Sequence, residues 1–144
     1  MIDQVITRLD SEIPELEKRV DGAFEFAELV RTGQLPQGGI AAHVLPLGMQ
    51  SRGADSAAGA FTQEFDESVG VILTLRNASR DAERILGDLR GFVMRIVNTI
   101  AGWAPTGAMG VFRFLRASLV SSTKGTFVYQ IDFSINDQLR ILNA

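Results

Sequence analysis

Three clusters in this chain carry residue types that could do chemistry. His43 is the only histidine. A catalytic imidazole needs a nucleophile to activate or a carboxylate to orient it. The stretch Ala41-Ala42-His43-Val44 is an ordinary strand pattern that indicates neither, so His43 reads as a structural or surface residue. Glu64, Asp66 and Glu67 form a carboxylate cluster. Glu64 and Asp66 share one strand face and could hold a cation or act as an acid–base pair. Without histidines or a second acidic cluster that signal is weak, and a solvated strand face is the plainer reading.

The third cluster, Phe112-Arg113-Phe114-Leu115-Arg116, interleaves aromatics with arginines, as strands that stack bases and grip phosphates do. In a regular strand Arg113 and Arg116 point to opposite faces, which breaks up such a platform. Sheet core plus an arginine at a subunit interface is the better reading. Gly107-Ala108-Met109-Gly110 follows a helical stretch and precedes a strand, the reverse of a nucleotide-binding glycine loop. Cysteine is absent, which removes disulfides, thiol nucleophiles and thiolate metal sites. No catalytic, cofactor-binding or metal residue is assigned.

The elements that would position these residues come from a 144-residue chain, long enough for one domain with a real core. It is 46% hydrophobic with a net charge of −3, an ordinary globular mixture with no basic run to bind nucleic acid irrespective of sequence. The start, Met1-Ile2-Asp3-Gln4, lacks a signal-peptide pattern. No apolar run reaches the roughly 18–20 residues that span a bilayer.

The organising stretch is Ser79 to Trp103, read as one long amphipathic helix. Ala82, Ile85, Leu86, Leu89, Phe92, Val93, Ile96, Val97 and Ile100 recur at steps of three and four, one stripe of a helix. Arg84, Gly87, Arg95 and Asn98 take the other side. Ser79 is placed to cap the start, Gly102 to end it, and Pro105 to stop any continuation. Gly87 and Gly91, four apart, could let another backbone approach or could equally be neutral.

Ahead of it, Ile2 to Leu9 reads as a helix, Pro14 to Arg19 as a second helical segment, Val20 to Ala23 as a short extended piece, and Phe24 to Val30 as a helix ending at Gly33. Gln37-Gly38-Gly39 reads as a turn. Ile40 to Leu47 alternates as a strand, with Pro46 marking an edge or an end. Gly48 to Gly59 has no periodicity and reads either as a mobile loop or as a segment that orders against a partner chain. Phe61 to Arg76 is the strongest strand, with Gly70 a candidate bulge. Val111 to Val120 and Thr126 to Asn136 form a closing pair joined at Lys124-Gly125, with Leu139 to Ala144 a short tail. The expectation is a single α+β domain over residues 1–144. It has an antiparallel sheet of about four strands, with the long helix and the N-terminal helices packed on one face.

Four features in this order and spacing resemble the tail terminator proteins of long-tailed bacteriophages, over most of the chain. They are Met1-Ile2-x-x-Val5-Ile6-x-Arg8-Leu9, then Val20-Asp21-Gly22-Ala23, then a strand ending at Val44-Leu45-Pro46 with a small-residue loop and the strand into Val69-Gly70-Val71. The last is a helix closing on Gly102-Trp103-x-Pro105 before two strands ending in Tyr129-Gln130-Ile131-Asp132-Phe133. The resemblance implies a non-enzymatic virion protein that forms a hexameric ring on the head-proximal end of the tail tube, ends tube polymerisation and offers a surface for head–tail joining.

Implied partners are further copies of itself, the major tail tube protein, a head-completion or connector protein, and the tape measure protein. No membrane and no sequence-specific nucleic acid is implied, although genome DNA would pass through the ring. The implied place is the tail, with the host cytoplasm during assembly. The candidate interface residues are Met49, Gln50, Arg52, Asp55, Glu64, Asp66, Arg113 and Arg116. Two other readings stand beside this one. A related tail or neck completion protein would share the fold, and a small ligand-binding or enzymatic domain would need a deep pocket with converging polar groups.

Overall fold

The structure, a computed structural model, describes residues 1–33, 39–57, 60–77 and 79–142, with only the backbone described for 54–57. The chain opens with α1 (Ile2–Glu12), which runs past Ser11, and a single 3₁₀ turn at Pro14–Leu16. A two-residue strand, β1 (Val20–Asp21), leads into α2 (Ala23–Thr32), which ends on Gly33 in the left-handed conformation. Then come β2 (Ile40–Ala57), β3 (Ala60–Arg76), α3 (Arg80–Gly87), α4 (Leu89–Ile100), β4 (Phe112–Thr123) and β5 (Thr126–Leu142). The expected Gln37–Gly39 turn lies mostly outside the described residues.

One five-stranded sheet has the order β1-β2-β3-β5-β4. The four long strands are antiparallel, as expected, and β1 adds a parallel fifth beside Ala42 and His43. β4 and β5 join through Lys124-Gly125, both at positive φ, the two-residue turn whose twist matches that of the strands. One face of the sheet presents Ile40, Ala42, Val44, Val69, Val71, Leu73, Leu75, Phe112, Ile131, Phe133 and Ile135. Against it pack Val5 and Leu9 of α1, Ala82 and Ile85 of α3, and Phe92, Val93, Ile96, Val97 and Ile100 of α4. The stripe read from the sequence is this buried face.

The long helix is in fact two. Asp88 leaves helical geometry, at φ −140° and ψ 62°, and its Oδ1 accepts the Gly91 N–H at 3.1 Å. An aspartate that caps a new helix competes with continuing the old one, and Gly87 before it is a poor helix former. A Cβ on Gly91 would overlap the Asp88 carboxylate. That glycine makes room for the cap.

The second correction concerns residues 48–57. They are not a loop: β2 runs on to Ala57 and pairs with β3 as far as Ala57 opposite Ala60. Residues 58–59 lie outside the described residues. Small side chains without periodicity hid this strand because β3 sets its course through backbone hydrogen bonds. For the same reason β5 continues through the expected tail to Leu142. Pro46 does lie on the outer strand, but the strand passes through it.

The third correction is that the helices are not all on one face. His43 alternates with Ala42 and Val44, so it faces away from the main helix layer. The Phe26 ring of α2 packs 5.3 Å from the His43 ring. A short helix thus covers part of the opposite face.

The two ends of the helix layer are tied together. Arg8 donates from Nε to the Thr99 carbonyl at 2.6 Å, and its guanidinium lies 4.8 Å over the Trp103 ring. Gln4 and Thr106 bond reciprocally, and Trp103 stacks on Phe112. Glu15 accepts a paired hydrogen bond from Arg95, at 2.6 and 2.9 Å. Among the described residues no helix is long and apolar enough to cross a membrane.

Candidate interface on the open face and free edges of the sheet

Away from the helices, the distal part of the sheet is open and polar. Across it run Gln50 of β2, Asp66 and Ser68 of β3, Asp132, Ser134 and Asn136 of β5, and Arg113 and Arg116 of β4. The arginines are on the same face, contrary to the odd-spacing expectation. Leu115 is an extra residue between Phe114, opposite Phe133, and Arg116, opposite Asp132. A bulge of this kind shifts every later side chain to the other parity.

The arginines meet carboxylates there. Asp66 lies between Arg52 at 3.4 Å and Arg113 at 3.7 Å. Asp132 accepts from Arg116 Nε and from Gln130 Nε2, each at 2.8 Å. Leu47, the extra residue of a bulge in β2, lies over Gly70, where a Cβ would stand 3.0 Å from it. Gly70 itself pairs on both sides, so its missing side chain accommodates the bulge rather than forming one. Beside these residues is a shallow hollow of about 260 Å³, lined by Met49, Gln50, Leu115 and Arg116 among others.

Arginine–carboxylate pairs of this kind fix geometry and recognise complementary surfaces. Among the described residues no three His, Cys, Asp or Glu side chains form a metal-holding group. His43 is buried with Nδ1 unpartnered. Burial lowers its pKa, and the carboxylates of Asp21 and Glu25 oppose that shift.

Of the candidate residues, the structure gathers Arg52, Asp66 and Arg113 into one group and places Arg116 nearby on Asp132. Gln50 stands opposite Asp66 in the ladder. Glu64 shares the face of Asp66, is exposed, and pairs with Gly53 and Gln138. Met49 is exposed but belongs to the other face, opposite Glu67. Asp55 stands opposite Thr62 in the backbone ladder, and its side chain is outside the described residues. The sequence reading missed Asp132 and Gln130. Their place in the polar half of the β5 alternation was the available signal.

The sheet also has two long free edges. β1 covers only Ala42 and His43, so among the described residues β2 has no outer partner from Val44 to Ala57. β4 is the last strand on the other side, with Leu115, Leu119 and Val120 exposed along it.

Comparison with known proteins agrees with the resemblance seen in the sequence. No curated protein matches. One solved structure similar to this chain is 18% identical, covering 95% of this chain and 89% of that one, with a TM-score of 0.36. That likeness is too distant to carry an argument. The family model for phage tail terminator protein matches residues 2–144. With essentially the whole length matched, this chain belongs to the phage tail terminator family and is a structural protein of the phage tail.

Proposed function

We propose that the protein assembles into a ring that caps the head-proximal end of the tail tube, ends tube polymerisation and presents a surface for head–tail joining. The observation that carries this reading is the pair of long strand edges at opposite sides of one helix-backed sheet that, among the described residues, have no outer strand partner beyond His43 in β2 and Phe112 in β4. Edges of that kind are templates for another chain. A head-to-tail contact between unlike surfaces closes into a ring when the rotation per copy fits, and otherwise grows without end. A terminator needs the closed case, with one side matched to the tube and no copy of that side on the other.

By resemblance the ring has six copies. Its partners are the tail tube protein on one side and a head-completion protein on the other, with the tape measure protein and the genome within reach of the lumen. We assign tube contact to the distal β2–β3 hairpin, where no described side chain of residues 45–53 or 60–68 is buried. Electron microscopy and light scattering of the purified protein, alone and mixed with growing tail tubes, test the reading. The expected result is rings on one tube end and arrested elongation. A protein that stays monomeric and leaves tube growth unchanged overturns it.

A further inference from the structure

We propose that the free edge of β4 in one copy pairs antiparallel with the free edge of β2 in the next, joining the sheets of successive copies into one layer. This rests on the ring-forming reading above and specifies its seam. The occupant of each edge is therefore a second copy of this chain.

Strand direction is the first support. β2, β3, β5 and β4 alternate in direction. An even number of alternating strands leaves the two outer ones antiparallel to each other. Adding β4 of one copy to β2 of the next keeps the antiparallel order and keeps every helix layer on the same side. An odd number would have forced a parallel seam or an inverted neighbour. The short β1 does not block the contact, because it covers only Ala42 and His43.

The second support is in the bulges. β2 carries extra residues at Leu47 and Arg52, and β4 carries them at Leu115 and Val120. The spacing within each strand is the same five residues. Bulges bend a strand and increase its twist, so strands bulged at equal intervals coil alike and can run side by side. The same bulges discourage an unrelated flat strand. Offsetting the two sets by one residue, with Leu47 beside Leu119 and Arg52 beside Phe114, puts open-face residues opposite open-face residues, with Gln50 beside Arg116 and Gly53 beside Arg113. On the helix side, Met49 falls beside Ala117. Exposed apolar side chains lie along both edges, Leu47 and Met49 on one and Leu115, Leu119 and Val120 on the other. β4 contains neither lysine nor proline, two residues that commonly blunt an edge.

The absence of cysteine makes a direct test possible. Introducing Met49→Cys and Ala117→Cys together supplies the only two thiols. Assembly in the presence of tail tubes is followed by a short thiol cross-linker, a denaturing gel and electron microscopy. The expected product is a ladder of covalent multimers. A mixture of the two single variants should stop at dimers, and Met49→Cys with Leu119→Cys, out of register by two residues, should lose the ladder. Leu45→Cys with Ser121→Cys reports on the same seam if Ala117→Cys disturbs the sheet. Rings that yield no ladder from either in-register pair overturn the edge pairing and leave the ring reading standing. Cross-links to tube subunits in place of a ladder also overturn it. If there are neither rings nor ladders, both proposals fall.

Discussion

Arg116 donates from Nε to Asp132 at 2.8 Å, pairing an arginine side chain that is 75% exposed with a carboxylate that is 2% exposed. The aspartate sits within the sheet and depends on a partner from the outer strand. Removing that partner leaves a buried acceptor with Gln130 alone. Arg116→Ala should therefore lower unfolding stability by about 1–3 kcal/mol, the usual range for a stranded buried polar group. Asp132→Asn, which removes the charge, should cost less. Urea unfolding of the two variants checks the order.

The helix break at Asp88 makes a coupled prediction. Asp88→Ala should cost about 0.5–2 kcal/mol, the usual loss for an N-cap. Gly91→Ala should yield no stabilisation in the parent chain, because its Cβ would overlap the capping carboxylate. In the Asp88→Ala background that obstacle is gone, and the same change should recover about 1 kcal/mol from helix propensity. A double-mutant cycle measures the sign reversal.

Core packing predicts a sharp contrast along α4. Ile96 is fully buried between helix and sheet. Ile96→Ala should cost about 2–5 kcal/mol, and Phe92→Ala a similar amount. Met94, on the outer side of the same helix, should cost less than about 0.5 kcal/mol on substitution by alanine. Equal losses at Ile96 and Met94 would mean the helix is turned the other way.

Stability should fall in two separate acid windows. Burial holds His43 below its ordinary 6.5, against the opposing pull of Asp21 and Glu25. The unfolded chain thus takes up this proton first as pH drops. The contribution of neutral His43 is complete above about pH 6.5 and is lost as pH falls through the lower folded value. His43→Gln should flatten stability against pH in that window. The Arg95 guanidinium holds Glu15 below its ordinary 4.5. That contribution is complete above about pH 4.5 and is lost on further acidification, and Glu15→Gln should remove it. Denaturant midpoints across pH 3–8, with about 0.1 M salt to screen remote charges, separate the two.

Much of the architecture could be read directly from the chain. The three-and-four periodicity of residues 82–100 named the buried helix stripe, because a helix core face is written in side-chain identity. Alternation named β3 and the first part of β5, and Lys124-Gly125 named the turn from β4 into β5, because glycine takes positive φ without steric cost. The segments that suggested the family from sequence, around Arg8 and around Trp103, meet as a guanidinium over an indole. Other features depended on tertiary pairing. The strand at 48–57 exists because β3 offers it a backbone partner, and backbone hydrogen bonds leave no mark on residue type. The shared face of Arg113 and Arg116 depends on one unpaired residue, Leu115, which shows only once the neighbouring strand is in place. The division at Asp88 turned on a side chain folding back onto its own backbone. Residue type alone determined which surfaces of this protein seek burial, and three-dimensional pairing decided where its strands end, which way its charges point and which edges it leaves open.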